Sequence, residues 1–414
     1  MAGRLRATVT EPLARPRAAV VFDTGADGVV TVLVRGTALR LLPRAVSRPD
    51  AVISTDLATL REMADGALSG VQAFVERRLT VRGNLSLALH TESVLDAPRP
   101  AHFPRVGVAG SRGRRTPYLE AGPPDGRPLL MLHGLGATNA SMLPLIAELS
   151  DEHRVIAPDL PGFGGSDAPL ASYDAAFFAT WVDGLLAELR IDSAAVLGNS
   201  LGGRIGLEVA LALPHRVRAL VLLAPAVAFR RLRQLVPAVA LVRPELALLP
   251  MAAPRWLVDR QVRGLFARPQ RLPESWYEAA VDEFCRVMRS AAHRVAFFAA
   301  LRNIYLDAPF GERGFWSRLP SLGIPSMFVW GEQDRLIPAG FARHVTAAVP
   351  TARSVVLPDC GHVPQFEQPL RTAELVREFL AGLTPDRGIA FDRSTTSCAP
   401  TGKVRSESGA DPQR

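Results

Sequence analysis

Short apolar runs alternate with longer amphipathic stretches over most of this 414-residue chain. Residues 129–132, 155–157, 194–197, 219–224, 325–330 and 354–357 carry no charge, and each is too short for a helix, so each reads as a strand. The segment 204–213 is amphipathic with helical spacing and directly follows the third of these runs. Between the strand at 219–224 and the one at 325 lie about a hundred residues, far more than a connecting loop. Helical patterns at 229–242, 256–266, 276–289 and 291–305 make that stretch an inserted helical layer, roughly 226–320. Before residue 104 the pattern differs. Residues 18–22 and 29–34 read as a hairpin across the turn-rich 23–28, and 51–55 reads as a further strand. Asp56 then caps a helix over 57–67, with Leu57, Leu60, Ala64 and Leu68 on one face and Ser69-Gly70 ending it. Residues 385–414 lose all periodicity and fill with Ser, Thr, Pro, Gly and charge, which predicts a disordered tail.

Chemistry enters where strands end. Gly198-Asn199-Ser200-Leu201-Gly202-Gly203 lies between the strand 194–197 and the helical segment at 204, the context of a sharp strand-turn-helix junction. Glycines on both sides let strand and helix approach, so the Ser200 hydroxyl projects into a cleft as a candidate nucleophile. A serine hydroxyl is a poor nucleophile near neutral pH and needs an imidazole base oriented by a carboxylate. Asp334 follows the strand 325–330, before a helix expected near Pro338, and His362 follows the strand 354–357. Asp159 and Asp359 compete for the acid role; Asp159 lies in a turn before the nucleophile and Asp359 only three residues from His362. For each residue there is a purely structural alternative: a turn for Ser200, a helix cap for Asp334.

The order Ser200, Asp334, His362 resembles that of the α/β-hydrolase family, and the resemblance extends over roughly 104–384. Further matches are His133-Gly134-Leu135-Gly136 after the strand 129–132, and Asp159-Leu160-Pro161-Gly162-Phe163-Gly164 after 155–157. The resemblance implies a mostly parallel sheet with a helical cap, and an oxyanion hole from the backbone N–H groups of Leu135 and Leu201. It also implies that His133, Gly134, Gly198, Asn199 and Gly202 support these loops and that no cofactor takes part; no cluster has zinc-ligand spacing, so no metal is expected either. Serine at 200 is unlike the similar dehalogenases and epoxide hydrolases, which place Asp there. Gly198-Asn199-Ser200 together with Cys360-Gly361-His362 resembles hydrolases of ring-fission products that cut carbon–carbon bonds, but Val363 stands where those commonly carry Trp. The expectation is a hydrolase of a hydrophobic carboxylic ester, with carbon–carbon hydrolysis and a non-catalytic lipid carrier as alternatives.

Pro49-Asp50-Ala51-Val52-Ile53-Ser54-Thr55 and the stretch Ala73-Phe74-Val75-Glu76-Arg77-Arg78-Leu79-Thr80-Val81-Arg82-Gly83, running on to Leu89, resemble the sterol carrier protein type 2 family. That resemblance covers about 10–95 and implies a small α+β domain with a possible lipid ligand. Domain limits of 1–95, 96–103 and 104–384 follow, the Pro-rich 96–103 predicting a stiff connector between independent domains.

Composition narrows the rest. A net charge of +8 comes from 48 Lys plus Arg against 40 Asp plus Glu, and Lys403 is the sole lysine; this arginine excess does not by itself indicate nucleic acid. No apolar run is long enough to span a bilayer, and 1–10 lacks the apolar core of a secretory signal, which together predict a cytoplasmic protein. Cys285, Cys360 and Cys398 are too few for a disulfide framework.

Overall fold

The computed structural model describes residues 17–35, 38–90, 103–110, 114–228, 236–241, 243–249 and 253–383. The expected tail at 385–414, most of the connector at 96–103 and residues 229–235 of the first insertion helix lie outside these.

The N-terminal sheet has the order β3-β2-β1-β4-β5, built from β1 (Arg17–Asp23), β2 (Val29–Arg35), β3 (Ala38–Leu42), β4 (Ala51–Thr55) and β5 (Leu79–Gly83). The expected hairpin pairs Ala18 with Val34 and Phe22 with Val30, and β4 adds parallel to β1. Asp56 caps α1 (Leu57–Ala64), accepting the Thr59 N–H at 2.7 Å. The helix is shorter than its apolar spacing predicts, because Gly66 adopts φ 74° and turns the chain. Ser69 does not end that helix; it starts another, α2 (Gly70–Val75), through a capping box with Gln72. A short α3 (Leu85–His90) follows β5.

Among the described residues the second sheet has eight strands in the order β13-β12-β11-β10-β8-β9-β7-β6. They are β6 (Arg105–Ala109), β7 (Thr116–Ala121), β8 (Arg127–Leu132), β9 (His153–Pro158), β10 (Ala194–Asn199), β11 (Val217–Leu223), β12 (Ser326–Gly331) and β13 (Arg353–Leu357). Strands β8 to β13 all run parallel to one another, and β7 is antiparallel to both β6 and β9. Successive side chains go to opposite faces. Leu129, Met131, Ala195, Leu197 and Val221 face α4 (Leu143–Leu149) and α14 (Pro369–Ala381); Leu130, Leu132, Val196, Leu220 and Leu222 face α5 (Ala175–Glu188) and α6 (Leu201–Ala212). Burial on both faces is why these strands read as uninterrupted apolar runs.

The insertion between β11 and β12 carries α7 (Val236–Leu241), α8 (Arg255–Gly264), α9 (Glu274–Val287), α10 (Ala291–Leu306) and the short α11 (Phe315–Arg318). The helix expected near Pro338 begins later, as α12 (Phe341–Ala348). The expected independence of the N-terminal domain is not what the structure shows. Val20, Phe22, Leu60 and Phe74 belong to one apolar core with Leu129, Leu143, Ile146 and Val376, so the two sheets share packing. Proline content describes a connector's stiffness and says nothing of the surfaces it joins.

Candidate active site

Ser200 occupies the junction between β10 and α6 at φ 54°, ψ −114°, outside the regions an L-residue ordinarily adopts. Such a conformation costs about 1–3 kcal/mol and persists only where the surroundings enforce it. Here the Ser200 N–H donates to the Leu223 carbonyl at 3.0 Å, while the Ser200 carbonyl accepts from Arg204 and Ala226 at 3.0 and 2.9 Å. The flanking glycines are steric necessities: a Cβ on Gly202 would lie 2.0 Å from the Leu132 carbonyl oxygen, and one on Gly198 would lie 2.4 Å from the Gly202 carbonyl. As the first residue of α6, Leu201 presents an N–H with no partner inside the helix.

Asp334, beyond the end of β12, is held from two sides. Its Oδ1 accepts the N–H groups of Leu336 and Ile337 at 2.8 and 2.9 Å, and its Oδ2 receives His362 Nδ1 at 2.7 Å, with both side chains almost wholly buried. Asn199 ties this pair to the turn that carries Ser200, its Nδ2 donating to the carbonyls of Leu223 and His362 at 3.0 and 3.1 Å. The residue before Ser200 is thereby bonded to the backbone of His362.

The loop after β8 lies against the same turn. A Cβ on Gly134 would be 3.4 Å from Ser200 Cβ. His133 Nε2 accepts the Leu160 N–H at 2.9 Å, so the neutral ring carries its proton on Nδ1 and donates to the Gly134 carbonyl at 2.8 Å. Because the peptide is planar and trans, fixing that carbonyl sends the Leu135 N–H in the opposite direction. Burial pushes His133 down to about 4. The unfolded chain therefore takes up this proton first, and stability due to His133 is full above about pH 6.5 and fades by pH 4. Denaturant titration should show the penalty of His133→Asn shrinking by about 3 kcal/mol between pH 7.5 and pH 4.

The competing carboxylates have other partners. Asp159 is fully buried, accepts the N–H groups of Asn139 and Gly165 at 2.8 Å each, and is raised by burial to about 7. Asp359 faces solvent and pairs with Arg268 at 2.5 Å. Burial raises the Cys360 thiol well above its ordinary value, which leaves it without thiolate character.

Two supports were not evident from the sequence. Glu367, at the end of α13 (Pro364–Glu367), accepts the Gly361 N–H at 2.7 Å and the Ala267 N–H at 2.8 Å, and the His362 N–H donates to the Leu265 carbonyl at 2.7 Å. The histidine loop is thus sewn to the insertion. A carboxylate five residues after His362 was the available signal. Two apolar residues of the insertion, Phe284 and Phe297, approach the site: a Cβ on Gly136 would lie 2.9 Å from the first ring and 3.0 Å from the second. Phe298 meets the edge of Phe297. Phe315 and Trp316 instead pack in the core beside α6, with Trp316 Nε1 donating to the Ala228 carbonyl. Val287 is buried and Met288 follows α9 as its cap.

Residues 127–369 match the family described as alpha/beta hydrolase fold. The chain belongs to this hydrolase family. A 2-hydroxymuconate semialdehyde hydrolase of Pseudomonas sp. (strain CF600) is 31% identical to this hydrolase over 292 residues, 68% of this chain and 96% of the relative. A 2-hydroxy-6-oxo-6-phenylhexa-2,4-dienoate hydrolase of Burkholderia cepacia is 28% identical, covering 67% and 96%. Among solved structures, a membrane phospholipase A described as a bacterial virulence factor superposes with a TM-score of 0.57 at 25% identity, over 68% of this chain and 87% of that one. Residues 9–96 of the hydrolase match the SCP-2 sterol transfer family. Among its described residues no helix is long and apolar enough to cross a membrane.

Proposed function

We propose that the protein hydrolyses a hydrophobic carboxylic ester, with Ser200 as nucleophile, His362 as base and Asp334 as the group that orients and stabilises the imidazolium. The observation that carries this is a serine held at φ 54° whose preceding residue, Asn199, bonds to the backbone of a histidine with its Nδ1 fixed by a buried carboxylate. In this reading His362 takes the Ser200 proton as Oγ attacks the carbonyl carbon, then delivers it to the leaving alcohol. Water repeats the cycle on the acyl-enzyme, and the N–H groups of Leu135 and Leu201 stabilise the oxyanion in both halves. Phe284 and Phe297, beside the Leu135 loop, favour an apolar acyl or alcohol part. The SCP-2 match supports an apolar ligand in the N-terminal domain as well.

A second reading, hydrolysis of a carbon–carbon bond in a ring-fission dienoate, is favoured by the two relatives whose names specify such substrates. The same nucleophile and donors would serve it, with carbon instead of oxygen leaving. Turnover of p-nitrophenyl esters from acetate to palmitate, beside bleaching of a coloured dienoate, separates the two. Ester turnover that rises with chain length is expected; a fast dienoate reaction with no ester turnover would replace the first reading by the second.

A further inference from the structure

Helix α9 touches the N-terminal domain on one side and both loops of the proposed site on the other. One turn apart on its outer side, Glu278 and Asp282 hold Arg82 of β5, with Arg82 Nε 2.9 Å from Asp282 and Nη1 3.1 Å from Glu278. Asp282 Oδ2 also accepts the Gly83 N–H at 3.1 Å. A carboxylate that binds a main-chain N–H together with a guanidinium fixes a register that a mobile surface ion pair does not. Burial works to raise the Asp282 carboxyl, yet Arg82, the Gly83 N–H and Arg255 together hold it below its ordinary value. Nearer the start of α9, Trp276 stacks on Phe74 of the N-terminal domain, ring centroids 5.5 Å apart and planes 13° from parallel.

The inner contacts of the helix reach the proposed site. Phe284 lies about 200° round the helix from Asp282 at 100° per residue. Its ring meets Gly136, next to the Leu135 N–H. Trp276 meets the edge of Phe366 at 5.6 Å, and Phe366 donates its N–H to the Val363 carbonyl immediately after His362. One rigid helix therefore bears on the oxyanion-side loop and on the histidine loop, and the N-terminal domain grips it by three separate residues.

We propose that the N-terminal domain is a positioning element of the hydrolytic site, Arg82, Gly83 and Phe74 holding α9 so that Phe284 and Trp276 brace the two loops; this rests on the catalytic reading given above. A donor that stabilises the oxyanion acts on the transition state, so slack in its loop costs kcat more than KM.

The test uses the full chain with the best p-nitrophenyl ester, comparing Arg82→Ala, Asp282→Asn, their double variant and Arg82→Lys. Rates are expressed per active site titrated with a fluorophosphonate, which removes any loss due to unfolded protein. Expected are a fall of about threefold or more in kcat for each single variant with KM little changed, a double variant no worse than the worse single, and partial recovery in Arg82→Lys. Wild-type kcat per titrated site in both single variants, or losses that multiply in the double, overturns the proposal while leaving the catalytic reading intact. Failure of the fluorophosphonate to label Ser200 overturns the catalytic reading, and this proposal with it.

Discussion

Ser200→Ala is expected to yield a folded protein whose kcat on its substrate is lower by about 10⁶, the loss typical of removing the nucleophile from such a unit. The fold survives because the enforced backbone at 200 depends on hydrogen bonds to Leu223, Arg204 and Ala226 made by main-chain atoms, which alanine retains. A residual acceleration of about 10³–10⁴ over water would come from the Leu135 and Leu201 donors and from binding alone. The check is single-turnover and steady-state kinetics on protein whose circular dichroism matches wild type. Near-normal turnover would falsify the role given to Ser200.

Asp334→Asn should lower kcat by about 10⁴ with little change in melting temperature, and the geometry says why. Position Oδ1 accepts two main-chain N–H groups, from Leu336 and Ile337, so the amide of an asparagine must keep its oxygen there. Its NH₂ then points at His362 Nδ1, which must become the acceptor. That drives the ring proton to Nε2, where it blocks uptake of the serine proton. A pH–rate profile and imidazole NMR would show the altered tautomer. A variant with wild-type turnover would move the acid role away from Asp334.

The parts of the fold legible in sequence are those with local causes. Strands β8 to β12 are buried on both faces and read as apolar runs, and the Gly198 to Gly202 stretch announces a junction that only glycine can fill. The insertion helices were legible from their periodicity. Their placement was not, since Arg82 and Asp282 lie 200 residues apart and neither leaves a mark on its neighbours' pattern. Ser69-Gly70 misled because serine favours a helix start as strongly as glycine favours a helix end, and only Gln72 at the third position separates the cases. At the site, the approach of His362 to Asp334 could be anticipated from strand ends, while the reach of Glu367 to the Ala267 N–H could not, because it joins elements a hundred residues apart.

The backbone of Ser200 has an implication for how this chain can change over generations. Glycine is the one residue that adopts φ 54° with ψ −114° at little cost, so Ser200→Gly would trade a reactive hydroxyl for a relaxed main chain. Stability and chemistry pull in opposite directions at this single position. If Ser200 is the nucleophile as proposed, a duplicated copy released from its substrate would gain stability from the very substitution that removes its reactive group.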